Sequence, residues 1–106
     1  MKKKKRFKYI IVIPARYKST RLPGKPLLNI SGEPMIVKTF KRCLKVSMRS
    51  QIFVATENKK ILEVCKKNNI KCLMTSEKCL TGTDRIAEVA KKIKAEFYIN
   101  VQGDEP

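Results

Sequence analysis

Four short apolar runs constrain this chain most: "KYIIVIP" (8–14), "QIFVAT" (51–56), "IKCLMT" (70–75) and "EFYINV" (96–101). Continuous runs of this length, without apolar/polar alternation, suit strands buried on both faces, as in a parallel sheet. The segments between them carry helical spacing. Residues 35–46 place Ile36, Phe40, Cys43 and Leu44 on one side. Residues 59–67 do the same with Ile61, Leu62, Val64 and Cys65, and Asn58 stands where an N-cap is needed. A helix over about 83–95 has Ile86, Val89, Ala90 and Ile93 at i, i+3, i+4 and i+7. The resulting βαβαβαβ order implies an α/β fold with a parallel sheet built from βαβ units and right-handed crossovers.

In open sheets of this kind, ligands bind beyond the carboxyl ends of the strands. Two polar segments occupy such ends: the basic loop after the first strand and "QGDEP" after the fourth. No internal repeat or linker interrupts the chain. Residues 1–7 are expected to form a basic, disordered tail, and 8–106 a single unit. "LLNISGEPM" reads as a small turn with Ser31-Gly32 at its tip. The sequence stops directly after a strand that needs cover, with no further helix to supply it. It is therefore expected to be the N-terminal part of a longer protein or a truncated copy.

The chain has 106 residues, 42% of them hydrophobic, which is enough for one small core. Its net charge is +16; six positive charges lie in the first eight residues, and subtracting them leaves +10. A phosphate-bearing partner fits that charge, as does a solvated lysine surface. The apolar stretch after the basic start is too short for a secretory signal, and no run spans a membrane, so a soluble, cytoplasmic protein is expected. Cys43, Cys65, Cys72 and Cys79 show no CxxC or finger spacing, and there is no histidine, which excludes His-based triads. Cys43 and Cys65 fall on apolar helix faces as small hydrophobes.

The basic loop packs Arg16, Lys18, Arg21 and Lys25 into ten residues. Pro14, Pro23 and Pro26 restrict its backbone, so it loses less entropy on ordering around a ligand. Gly24 permits a tight bend. Arg16 and Arg21 can fork onto phosphate oxygens, Lys25 can act as a point charge, and Ser19 and Thr20 add hydroxyls. These groups suit a triphosphate; the competing reading is a solvated loop. It is not a Walker A loop, because Gly24-Lys25 is followed by Pro26, and it is not GxGxxG.

In "NVQGDEP", Asp104 and Glu105 are acidic residues in a basic protein, placed after a strand. They form either an acidic turn or a ligand for Mg²⁺, which binds through one or two carboxylates while bridging phosphates. In "TGTDRIAE", Gly82 and Thr83 start a helix with Asp84 near its positive end. That segment is either a helix cap or a contact for a base or ribose.

Together, "IPARYKSTRLPGKPL", "GTDRIAE" and "NVQGDEP" resemble, in order and separation, the 3-deoxy-manno-octulosonate (Kdo) cytidylyltransferases. These are the CMP-Kdo synthetases of lipopolysaccharide assembly. The resemblance covers about residues 8–106. It implies a Rossmann-like nucleotidyltransferase fold and a reaction in which CTP and Kdo give CMP-Kdo and pyrophosphate with Mg²⁺. By the same resemblance, Arg16, Ser19, Arg21 and Lys25 hold the CTP phosphates, with Arg16 and Lys25 as catalytic cations. Pro14, Ala15, Thr83 and Arg85 meet the nucleoside, Gln102 faces the sugar acid, and Asp104 binds Mg²⁺. The resemblance also implies a homodimer for full-length members. Most of the Kdo contacts and a second metal-binding aspartate lie in the portion of those members beyond this stretch.

Two further readings stand beside this one within the same chemistry or outside it. An 8-amino analogue of Kdo would use the same nucleotide loop. A basic nucleic-acid-binding module would use the net charge, but no aromatic stacking platform or helix-turn-helix or finger spacing accompanies it. An incomplete fold with an exposed sheet edge is a third outcome for a chain that needs a missing half.

Overall fold

The computed structural model describes residues 7–18, 23–79 and 81–102. The continuous apolar runs form β1 (Phe7–Ala15), β4 (Ile52–Thr56), β5 (Lys71–Met74) and β6 (Ala95–Asn100), and all pairs in their sheet are parallel. The sheet order is β5-β4-β1-β6. Three helices alternate with these strands: α1 (Met35–Cys43), α2 (Lys59–Lys67) and α3 (Gly82–Lys92). The turn at Ser31-Gly32 closes a two-residue hairpin, β2 (Asn29–Ile30) with β3 (Glu33–Pro34), just ahead of α1. Among the described residues, no helix is long and apolar enough to cross a membrane.

The side-chain alternation of β1 shows why its sequence is apolar without a break. Ile11, Ile13 and Ala15 pack with Ile36 and Phe40 of α1 and Ile61 and Cys65 of α2. Ile10 and Val12 point the other way, into a smaller cluster with Phe53, Ala55 and Val89 of α3. Successive strand residues face opposite sides, so a strand with helices on both faces needs apolar residues at every position.

The helix ends follow local chemistry. Asn58 caps α2, its side chain accepting the Lys60 N–H at 2.8 Å. Thr81 and Asp84 form a capping box at α3: Thr81 Oγ1 accepts the Asp84 N–H at 3.1 Å, and Asp84 Oδ2 accepts the Thr81 N–H at 3.3 Å. α1 stops at Cys43 rather than at 46. Lys45 N–H donates to the Arg42 carbonyl and Val46 N–H to the Cys43 carbonyl, so the last turn tightens to i→i+3 bonding. α3 stops at Lys92 rather than near 95, with Ile93 already extended. There the Tyr98 hydroxyl donates to the Ile93 carbonyl at 2.6 Å and accepts the Ala95 N–H at 3.0 Å. One side chain thus satisfies two backbone groups at the corner from α3 into β6. β1 begins at Phe7, one residue before the expected start of 8, so Phe7 belongs to the sheet; the rest of the expected tail, 1–6, lies outside the described residues.

The outermost strand β6 is covered on one face only. Tyr98 packs against the α3 side, while Phe97 and Ile99 are 60% and 45% exposed on the other. A groove of about 590 Å³ runs there between α1 and β6, lined by Tyr9, Ile11, Cys43, Val46, Ile99 and Val101 among others. The expectation of a fourth strand without its full cover agrees with this exposure.

Cys43, Cys65 and Cys79 are buried and Cys72 is half-buried. The Cys65 thiol donates to the Cys72 sulfur, which raises the Cys65 pKa; burial adds to the effect. The same hydrogen bond lowers the Cys72 pKa, with Lys66 helping and burial opposing. Burial raises the Cys43 pKa. Because the thiolate is the reactive form, Cys72 should be alkylated before Cys43 and Cys65 when the native protein is treated with iodoacetamide. Peptide mass spectrometry over a time course checks the order. Tyr98→Phe removes both hydroxyl bonds and should destabilise the fold by about 1–3 kcal/mol in urea denaturation.

Candidate nucleotide site

The sheet order builds a crevice before any side chain is considered. The chain leaves β1 to form β4 and β5 on one side, then crosses back through α3 to form β6 on the other. The direction of winding reverses beside β1, and such a reversal opens a cleft at the carboxyl ends of the two diverging strands. Val101 N–H donates to the Val12 carbonyl at 3.0 Å, so the parallel ladder carries the segment after β6 alongside the end of β1.

Gly82, the first residue of α3, sits against both strand ends. A Cβ there would lie 3.4 Å from Pro14 Cγ, 3.3 Å from Gln102 Nε2 and 3.7 Å from Asn100 Nδ2. A Cβ would thus be in ordinary contact with Pro14 and Asn100 and slightly tight only against the end of the Gln102 side chain. Segments containing Pro14, Gly82 and Gln102, far apart in sequence, therefore meet at one place. Ala15 is buried at the end of β1, and Arg16, Thr83 and Gln102 are exposed around it. Asp84 belongs to the helix cap, so the capping reading of "TGTDRIAE" holds for that residue.

The basic loop leaves β1 through Arg16 and returns through Gly24. Its neck is closed by the Gly24 N–H, which donates to the Tyr17 carbonyl at 2.6 Å. Gly24 has φ 74°, in the left-handed region, and a Cβ there would press to 3.1 Å from the Tyr17 ring. Only glycine meets both conditions without strain. Lys25 then opens a single 3-10 turn, Lys25–Leu27, with Pro26 at one of its first positions. Lys60 lies 5.1 Å from the Tyr17 ring centroid, on the helix after β4. Ser19, Arg21 and Asp104 lie outside the described residues.

Arg85 is placed differently from the exposed site residues. It is 1% exposed, beneath the surface rather than on it. One Nη donates to Thr75 Oγ1 and the other to the Cys79 carbonyl at 3.4 Å, while Nε has no partner among the described residues. Its counter-charge is Glu57, with a side chain 7% exposed and Oε1 4.0 Å from Nη1. Glu57 Oε2 in turn accepts the Tyr17 N–H at 3.2 Å and the Lys18 N–H at 3.5 Å. Sequence reasoning does not single out Glu57. The available signal is its position: an acidic residue directly after a buried strand, the same logic that singles out Asp104.

For a metal, the described residues offer no cluster of three or more His, Cys, Asp or Glu. They do not by themselves make a metal site. Pro14, Gly82 and Gln102 instead meet at a strand-end reversal, with the exposed Arg16 two residues on from Pro14 at the start of the basic loop.

Comparison with known proteins gives the same direction. A family model described as cytidylyltransferase matches residues 10–106. The 3-deoxy-manno-octulosonate cytidylyltransferase of Escherichia coli is 48% identical over 99 residues, covering 93% of this chain and 40% of that protein. Its counterpart in Chloroherpeton thalassium is 46% identical, with the same coverage of 93% and 40%. The chain thus spans about 40% of the length of the curated relatives it matches. A solved structure of CMP:2-keto-3-deoxy-manno-octonic acid synthetase complexed with CTP superposes with a TM-score of 0.89 at 47% identity, over 93% of this chain and 41% of that one. A cytidylyltransferase structure from Leptospira borgpetersenii gives a TM-score of 0.77 at 30% identity, over 92% of this chain and 42% of that one. With the family model matching nearly its whole length, this chain belongs to the cytidylyltransferase family.

Proposed function

We propose that residues 8–106 are the nucleotide-binding part of a Kdo cytidylyltransferase of lipopolysaccharide synthesis, working in the cytoplasm. The reaction is CTP plus Kdo giving CMP-Kdo and pyrophosphate. The single observation that supports it best is the meeting of Pro14, Gly82 and Gln102 at the carboxyl end of β1, beside the neck of the basic loop. All three segments that carry the family resemblance contribute to that one place. The CTP bound in the 47%-identical structure agrees with this choice of ligand.

In this reading the anomeric hydroxyl of Kdo attacks the α-phosphate of CTP in line, and pyrophosphate leaves. The protein's part is positioning and charge neutralisation. Arg16 and Lys25, on the two sides of the loop neck, hold phosphate oxygens and offset charge on the departing pyrophosphate. Ser19 and Arg21 extend the same cradle. The backbone at Pro14 and Ala15, with Thr83 at the start of α3, borders the nucleoside, and Gln102 faces the sugar acid. Arg85 supports this floor from below through Glu57 and Thr75. Asp104 is the residue assigned to Mg²⁺, which when bound would neutralise triphosphate charge.

Isothermal titration of the 106-residue chain should show CTP binding in Mg²⁺ that exceeds ATP binding. Arg16→Ala and Lys25→Ala should each weaken it by about 10- to 100-fold, the value of one hydrogen bond to a charged group in such a site. Failure of the unsubstituted chain to bind CTP would remove the reading. Tight polynucleotide binding that collapses between low and moderate salt would replace it with the nucleic-acid reading.

A further inference from the structure

The basic loop has an electrostatic problem that its own sequence does not solve. Between Pro14 and Gly32 the sequence has no acidic residue and four basic ones, Arg16, Lys18, Arg21 and Lys25. A segment of this kind needs an anchor from elsewhere in the fold. Glu57 is placed to be that anchor. Its carboxylate is nearly buried and sits directly after β4, the strand paired with β1 through Ala15↔Thr56. It spends one oxygen on backbone N–H groups of Tyr17 and Lys18. The other oxygen accepts the Thr56 hydroxyl at 3.5 Å and faces Arg85.

The connections on each side make this contact more than local. Toward the core, Arg85 is fixed by Thr75 Oγ1 and the Cys79 carbonyl, and Thr75 N–H donates to the Thr56 carbonyl at 2.8 Å. The ends of β4 and β5 and the first turn of α3 are therefore tied around one buried guanidinium. Toward the loop, Tyr17 is held by Glu57 through its N–H and accepts Gly24 N–H through its carbonyl. Gly24 is the N-cap of the turn that begins with Lys25. The chain of contacts runs Arg85, Glu57, Tyr17, Gly24, Lys25, linking α3 to the far side of the phosphate loop.

We infer that Glu57 is a positioning residue that fixes the neck of the phosphate loop, so that Arg16 and Lys25 reach one triphosphate together. The inference rests on the nucleotide reading above, and it acts through backbone geometry rather than through contact with substrate. Charge and shape are both required. An amide in place of the carboxylate would have to turn its NH₂ either toward the Arg85 guanidinium or toward the Tyr17 and Lys18 N–H groups, setting donor against donor. A one-methylene shortening would keep both acceptors but draw them away.

The test compares the unsubstituted chain with Glu57→Gln and Glu57→Asp. Amide hydrogen exchange is read at Tyr17, Lys18 and Gly24, with Ile70 as control. The Ile70 amide is bonded to the Cys65 carbonyl at 2.9 Å, at the opposite end of the sheet. Glu57→Gln should speed exchange at the three neck amides by about tenfold or more while Ile70 is unchanged, and should weaken CTP binding by about tenfold. Glu57→Asp should fall between the two on both readouts, and it carries the test if the Gln variant does not fold. Unchanged exchange at the neck would overturn the anchor. Faster exchange with unchanged CTP affinity would overturn its role in binding. If the unsubstituted chain binds no CTP, the nucleotide reading fails by itself, and exchange at the neck still decides whether Glu57 is the anchor.

Discussion

Parallel pairing on both sides of β1 is the constraint on which the rest of this structure depends. β4 binds one edge of β1 and β6 the other, so β1 is central and its two faces are each covered. Six consecutive buried residues, Ile10 to Ala15, are what that position demands of the sequence. Right-handed crossovers then force the helices before and after the reversal onto opposite faces, as α1 and α2 are with respect to α3. The loops after β1 and β6 emerge next to each other as a consequence. A site at this point follows from topology, and its chemistry follows from which residues occupy the loops.

Those residues carry two different kinds of contact. One is an absence: Gly24, with its positive φ, leaves room for the Tyr17 ring. Others are buried polar groups that tie the loops together, chiefly Glu57 and Arg85. A buried ion pair is a weak source of stability, because desolvation offsets much of the attraction. Its value in this fold is geometric. Glu57 spends its capacity on the Tyr17 and Lys18 N–H groups and on a buried partner, and so ties the start of the basic loop to the end of β4.

Much of the fold was legible in the sequence because each strand is a short apolar run, although only β1 and β4 are buried on both faces and β6 is not. β1, β4, β5 and β6 all fall within a residue or so of the expected runs. α2 matches its expected bounds because Asn58 supplies a local stop signal that tertiary contacts do not override. The ends of α1 and α3 were less legible: a tightened turn ends the first, and the Tyr98 hydroxyl, five residues away, helps to end the second. The site shows the same division. Pro14, Gly82 and Gln102 lie in motifs that the sequence displays, and the fold brings them into contact. The burial of Arg85 depends on packing between β4, β5 and α3, which no local pattern encodes, and the only local mark of Glu57 is its place directly after a buried strand. Ser19, Arg21 and Asp104 lie outside the described residues and remain assignments by resemblance.

The central claim is that the three motif segments form one nucleotide site at the reversal beside β1. A groove of about 390 Å³ lined by Ile30, Glu33, Lys38, Lys41, Arg42 and Lys45 is a competing, mainly basic surface elsewhere on the molecule. The most direct measurement is an amide NMR titration of the chain with CTP and Mg²⁺, using ATP as control. The account predicts CTP-selective shifts gathered at Ala15, Arg16, Gly24, Lys25, Gly82, Thr83 and Gln102. Shifts confined to α1, or equal for CTP and ATP, would contradict it.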